Sequence, residues 1–201
     1  MSGPASSVNP PRTPRVDPRI EQTRRLVKAA TLELIAEVGF EGTTIELISD
    51  RSGVSRSTIY RHWPQPSDLL LQAFDPALPE QTPPTLTGDC RADLEAYVHH
   101  VAERLNDDKF AAALTAQIDK GRRDPAYRDA HVQYALERNE LGASIVREGI
   151  RDGIFRPELE PEYEVDVLLS QLVYRRLMRY RELDSTLVTR IIDETWSRWS
   201  R

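Results

Sequence analysis

The sequence is poor in the residues from which most active sites are built. Its one cysteine, Cys90, excludes an internal disulfide, and such sparse use fits a reducing cytoplasm. There is no Cys–Cys pair, no His-x-x-x-His spacing and no glycine-rich phosphate loop, so the common zinc and nucleotide sites are not expected. His99 and His100 are neighbours, and on a helix adjacent side chains point about 100° apart, which prevents them from chelating one metal together. No catalytic centre, metal or cofactor is expected. A hidden triad of Ser, His and Asp stays open, because triads are set by geometry and not by chain order. No apolar run reaches the about 18 residues of a membrane span, and Met1 to Pro18 lacks the apolar stretch of a signal peptide. Strand alternation and internal repeats are also missing. What remains is 39% apolar and 29% charged residues in a chain of 201, ordinary for a globular protein and long enough for one or two domains.

The formal net charge of −5 would disfavour a polyanionic partner if it were evenly spread. It is not. Residues 1–66 hold nine Lys plus Arg against seven Asp plus Glu, so the acidic excess lies mostly in the remainder. A mildly basic end on an acidic body suits site-specific contact with DNA and predicts weak non-specific binding.

Residues 43–74 carry the most information. Thr43 and Glu46 have capping-box spacing at a helix start. Ile45 and Ile48 supply a buried stripe, with Leu47 a further candidate for it. Gly53 stands where the helix must stop, and Val54 is a small apolar plug. Ser55 suits the N-cap of a second helix, about Arg56 to His62, whose Ile59 and core-facing neighbour Trp63 lie four apart. Arg56, Ser57, Thr58, Tyr60, Arg61 and His62 are left for solvent or a ligand. Hydroxyls, a tyrosine and two arginines on one exposed helix suit phosphates and base edges. Two helices joined by a tight turn in this way read as a helix-turn-helix. A solvated polar face on an ordinary helical hairpin is the bland alternative.

Along the rest of the chain, Met1 to Pro18 is rich in Pro, Ser and Arg and reads as a disordered arm, from which Arg12 and Arg15 could reach along DNA. Arg19 to Val38 is an amphipathic helix with Ile20, Leu26, Val27, Ala30, Leu34, Ile35 and Val38 on its apolar face, ended by Gly39. Asp75 to Gly88, with four prolines, is a connector. Further helices are expected over Asp89–Asn106, over Asp107–Lys120 (Phe110, Leu114 and Ile118 inward, Gly121 as the stop), and from Asp124-Pro125 to about Ile150. Two more follow, Glu162–Arg181 and one capped by Asp184 or Ser185 and running to Trp199. The expected class is all-α with about nine helices: an arm (1–18), a helix-turn-helix domain (19–66) and a second helical domain (67–201).

The marks from Arg24-Arg25-Leu26-Val27-Lys28-Ala29-Ala30 through Gly39-Phe40, Thr43-Thr44-Ile45, Gly53-Val54-Ser55, Ser57-Thr58-Ile59-Tyr60 and His62-Trp63 to Leu69-Leu70 resemble the N-terminal domain of the tetracycline-repressor (TetR) family of transcriptional regulators. The resemblance covers residues 19–74 without a gap. It implies a three-helix DNA-binding domain followed by a helical effector-binding and dimerisation domain. Ser55 to Tyr60 would lie in the recognition helix, with Thr44 and Tyr60 on phosphates and Arg56 and Ser57 nearest the bases. The implied partners are a palindromic duplex operator, a small-molecule effector and a second copy of the chain, with no membrane. The family's usual phosphate-gripping lysine at the start of the fourth helix is replaced by Pro66, which has neither charge nor N–H. That departure keeps open a member of the fold with weakened DNA binding, acting as a sensor or binding protein.

For the second domain, Tyr97, His100, Phe110, Tyr127, His131, Tyr134 and Arg138 are candidates to line an effector pocket, each also readable as plain core or surface. Leu168, Leu169, Leu172 and Val173, with Leu187, Ile191, Ile192 and Trp196, make two helices too apolar for a monomer's surface. The resemblance implies a four-helix dimer interface there; intramolecular core is the alternative. A small helical enzyme or ligand carrier with a chance hairpin is the competing class.

Overall fold

The computed structural model describes residues 18–73 and 83–201. Within these, the side chains of Leu71, Ala126, Ala130 and Tyr134 are outside the described set. The proposed arm up to Asp17, with Arg12 and Arg15, and most of the proposed connector lie outside the described residues. The described residues form nine helices: α1 (Pro18–Gly42), α2 (Ile45–Ser52), α3 (Arg56–His62), α4 (Pro66–Gln72), α5 (Cys90–Asn106), α6 (Asp108–Arg123), α7 (Pro125–Arg151), α8 (Pro161–Val173) and α9 (Ser185–Trp199). The chain is all-α, as the periodicity predicts.

Helix ends follow local chemistry. Asp89, Asp107, Asp124 and Asp184 each accept backbone N–H groups at the starts of α5, α6, α7 and α9, where anionic caps also meet the positive end of the helix dipole. Pro125 and Pro161 take the first helical position, where a missing N–H costs nothing. Gly39 sits at φ +72° inside α1 and breaks its regular path before Phe40. α8 passes directly into a π-helical turn, Tyr174–Met178, and so departs from the single helix expected to Arg181.

Two apolar cores result. The smaller joins Val27 and Leu34 of α1 to Ile45, Ile48, Ile59, Trp63 and Leu69. The larger runs through α5 to α9 and takes in Leu32, Ile35 and Phe40 from α1. α1 is therefore a shared wall, packed along α2 on one side and α6 on the other. Ile20, Leu26 and Val38 are exposed, contrary to the expected stripe. With two cores to serve, α1 buries two narrow faces instead of one wide one.

Two more expectations fail for similar reasons. Gly121 does not end α6; the helix continues to Arg123, and Gly121 lies buried where α7 turns back, so close that an added Cβ would stand 3.8 Å from Arg128 Cα. Ile118 is 43% exposed while Gln117 is 1% exposed. The inward face of α6 is Phe110, Ala113, Gln117 and Gly121, a helical spacing as good as 110-114-118 but hidden by its polar member.

Candidate nucleic-acid interface

The α2–turn–α3 unit is built by a run of short-range hydrogen bonds. Thr44, not Thr43, caps α2: its hydroxyl accepts from Leu47 N at 3.3 Å. Thr43 instead donates its hydroxyl to Gly39 O at 2.7 Å, tying α2 to the kinked end of α1. The cap is thus shifted by one residue, because Thr43 finds a carbonyl at the kink, and Leu47 takes the third helical position, where it cannot complete a capping box. Gly53, at φ +69°, ends α2 in the left-handed conformation that a residue with Cβ resists. Ser49 Oγ donates to Val54 O (2.8 Å) and Val54 N donates to Ser52 Oγ (3.2 Å), which fix the turn. Ser55 then caps α3, accepting from Thr58 N at 3.3 Å.

Below α3, Ile59 and Trp63 are buried, and Trp63 Nε1 donates to Gln72 Oε1 at 2.8 Å. That bond fixes α4 against the end of α3. Above it, Ser55, Arg56, Ser57, Tyr60 and Arg61 are exposed, Tyr60 by 47%, and Thr58 and His62 are half-buried. Ser55 Oγ lies 3.1 Å from Ser57 Oγ and 2.9 Å from Thr58 Oγ1. Three hydroxyls thus cluster at the N-terminal end of a helix on the molecular surface. Thr44 is exposed at the start of α2. The predicted residues of the helix-turn-helix therefore come together on one face.

Reading the sequence alone missed the acidic partners of this face. Arg56 Nη1 donates to Glu46 Oε1 at 3.2 Å, with both side chains 62% exposed. An ion pair so open to water is weak and exchanges readily for a base or phosphate. The carboxyl of Glu46 is held below its ordinary value, first by its own backbone N–H and then by Arg56. Behind the face, Arg51 makes a bidentate pair with Glu37 of α1 at 3.0 and 2.8 Å. Lys109 of α6 reaches Glu33 of α1 at 2.7 Å, so exposed charges stitch α2, α1 and α6 together. Acids on α1 and α2 facing basic residues were the available signal, but their separation in sequence hid the pairing.

Pro66 is the first residue of α4 and is exposed. Asp68 N donates to Gln65 O at 3.1 Å at this helix start.

The other predicted positions scatter. Tyr97 is buried, its ring against the backbone of Gly142, and burial pushes its hydroxyl up to about 12. Phe110 is buried under the Arg104 guanidinium, 4.4 Å from the ring centroid. Tyr127 is buried and meets Phe40 edge-on at 5.3 Å. His100 and His131 are half-buried, and burial lowers the basicity of both. Arg138 is half-buried and acts electrostatically on Tyr97 and His100. The Tyr134 side chain is outside the described residues. Of the proposed dimer residues, Leu168, Leu172, Ile191 and Ile192 are spent on the chain's own core, while Leu169, Val173, Leu187 and Trp196 are half-buried around it.

A capped two-helix unit on a hydrophobic base, with a hydroxyl- and arginine-bearing helix outward, defines the class: a helix-turn-helix DNA-binding regulator. Residues 28–73 match the bacterial regulatory proteins of the tetR family, and residues 84–195 match the tetracyclin repressor-like C-terminal domain. The chain belongs to the TetR family of transcriptional regulators. It is 24% identical over 176 residues to the HTH-type transcriptional regulator YdeS of Bacillus subtilis (87% of this chain, 88% of that one). It is 31% identical over 144 residues to the HTH-type transcriptional regulator CymR of Pseudomonas putida (67% of each). The crystal structure of TetR family transcription regulator SCO0332 superposes with a TM-score of 0.69 at 27% identity, over 90% of this chain and all of that one. No helix among the described residues is long and apolar enough to cross a membrane.

Proposed function

We propose that the protein is a dimeric cytoplasmic repressor that holds a palindromic operator and is released from it by a small-molecule effector. The observation that carries this reading is α3 itself: seven residues with Ile59 anchored below and Arg56, Ser57, Tyr60 and Arg61 exposed above. Arg56 and Ser57 read base edges at the N-terminal end of α3. Thr44, Tyr60 and the Ser55 and Thr58 hydroxyls hold the backbone, and Arg61 and His62 flank them. One helix of about two turns gives little contact, and twofold symmetry doubles it on paired half-sites. The second copy packs against the outer surface of α8 and α9, where Leu169, Val173, Leu187 and Trp196 are half-buried and Tyr163 and Tyr174 are exposed.

The test is selection of random duplex DNA by the purified protein at moderate salt, with sequencing of what is retained. An enriched palindrome supports the reading, and its sequence leads to the regulated genes. A folded dimer that enriches nothing overturns it. One observation favours the second reading, a sensor with weakened DNA binding: the exposed first position of α4 is Pro66, which offers a phosphate neither charge nor N–H.

A further inference from the structure

The seam between α6 and α7 holds polar atoms with no hydrogen-bond partner among the described residues. Gln117 and Tyr127 are 1% and 6% exposed. Gln117 Nε2, Tyr127 Oη and His131 Nδ1 are each buried with no hydrogen-bond partner among the described residues. Tyr127 and His131 are four apart on α7 and so share a face. Gln117 comes from the inward face of α6 and approaches the Tyr127 hydroxyl as a hydrogen-bonding neighbour that partly offsets the effect of burial on it, without reaching full bonding geometry. Buried polar groups are almost always satisfied, so three such atoms in one seam need an explanation outside the chain's own side chains.

The surroundings point to the chemistry of the missing partner. Phe40 packs edge-on to Tyr127, and Phe110 and Ala113 are buried on the α6 side. Two of the three atoms, the Gln117 amide and the Tyr127 hydroxyl, are donors. Burial disfavours the imidazolium of His131, leaving a neutral ring that can accept or donate. Donors without a formal charge, between aromatic walls, suit a carbonyl oxygen and penalise a carboxylate.

Phe40 adjoins Tyr127, a surface groove and the head. It lines a groove of about 190 Å³ between α1 and α6, together with Val38, Ala116 and Lys120. It also follows the Gly39 kink, and its carbonyl accepts from Thr43 N at 3.2 Å while Gly39 O accepts the Thr43 hydroxyl. Thr43 adjoins Thr44, the cap of α2. A ring displaced at Phe40 therefore reaches the start of the helix-turn-helix through two hydrogen bonds.

We propose that Gln117, Tyr127 and His131 form the polar subsite for the effector, that it takes a neutral small aromatic molecule bearing a carbonyl group, and that Phe40 transmits occupancy to α2. The proposal rests on the regulator reading for its purpose and not for its test.

The test titrates the full-length protein with benzamide, with benzoate as the charged control, by saturation-transfer NMR and thermal melting. Benzamide binds in the millimolar range and raises the melting temperature; benzoate does neither. Tyr127→Phe keeps the ring against Phe40 and removes an unpaired hydroxyl, so the free variant melts at or above the wild-type temperature. Its benzamide affinity falls by at least roughly tenfold, as does that of Gln117→Leu. On binding, the amide resonances of Thr43 to Leu47 shift in the wild type, and in Phe40→Leu they stay in place while affinity persists. Absence of benzamide binding overturns the proposal, as does wild-type affinity in both variants. A Tyr127→Phe melting point lower by several degrees with unchanged affinity assigns the seam to buried water and overturns it too. None of these readouts uses DNA. A protein that enriches a palindrome but ignores benzamide loses only this subsite, and one that binds benzamide but no DNA loses only the regulator reading.

Discussion

Among the described residues, seven buried apolar side chains from Val27 to Leu69 hold the three-helix head together, whereas twenty-five join in the core of the body. The head spends most of its polar residues on the outside, Lys28 and Thr31 of α1 being buried. Its Ser, Thr and Arg side chains cap helices, fix the turn or face solvent, and Arg24 stacks over the rim of its core at 5.9 Å from the Trp63 ring. The body spends several of its polar residues inside. Some are satisfied, as where Trp199 Nε1 donates to the buried Glu164 at 2.7 Å, and some, in the α6–α7 seam, are not. A small core with polar work at its surface suits a rigid reading head. A large core with unpaired polar atoms suits a part whose interior changes partner.

The comparison breaks most visibly at Trp63. Trp63→Ala removes the largest side chain of the small core and should cost about 3–5 kcal/mol. Amide exchange should then show α2 and α3 losing protection while α7 to α9 keep it; loss of protection throughout would mean that head and body are one cooperative unit. In the body, Gly149→Ala places a Cβ 2.1 Å from Phe155, whose ring is wedged edge-on against Trp196 and Trp199. About 1–3 kcal/mol of overpacking is expected in thermal melts, with DNA affinity per folded molecule unchanged. Arg56→Ala tests the converse: melting unaltered, and binding to the selected operator weaker by about 1–3 kcal/mol of base discrimination, read by titration. Normal binding by this variant would displace the reading surface from α3.

Pro66→Lys sharpens the head further. Each added phosphate contact should steepen the logarithmic salt dependence of DNA affinity by about 0.9, and a symmetric dimer adds two. An unchanged slope would mean that the contact is supplied elsewhere. The smallest effect belongs to Glu37→Gln. The hydrogen bond from Arg51 holds the Glu37 carboxyl below its ordinary value near 4.5, so the pair stabilises the folded state above that value and stops doing so as pH falls through the lowered one. The melting difference between variant and wild type should be largest near neutrality at low salt and close in acid.

The same contrast explains what the sequence disclosed. The head was legible because its signals are local: Gly53 stops α2, Ser55 caps α3, and Ile59 and Trp63 lie four apart, all within twelve residues of chain. Its slips had tertiary causes: Thr43 for Thr44 as the cap came from the kink at Gly39, and the exposed Ile20, Leu26 and Val38 from the two cores that α1 serves. The body's helices were legible from Asp caps and prolines, but the faces they bury were not. Gln117 replaced Ile118 inside because the packing of α6 between α1 and α7 selects the face, and α8 and α9 turned half of their apolar stripes to the chain's own core. Those choices depend on how distant helices meet, which periodicity along one helix does not encode.

α1 offers Val27 and Leu34 to one core and Leu32, Ile35 and Phe40 to the other. Its consequence is evolutionary. A recombination that joined this head to a relative's body would carry three side chains fitted to the old body and strand them against a surface shaped for others. Junctions placed after α1 therefore give misfit chimaeras. The reading head and the C-terminal body can diversify separately only on the far sides of α1, which must co-evolve with both.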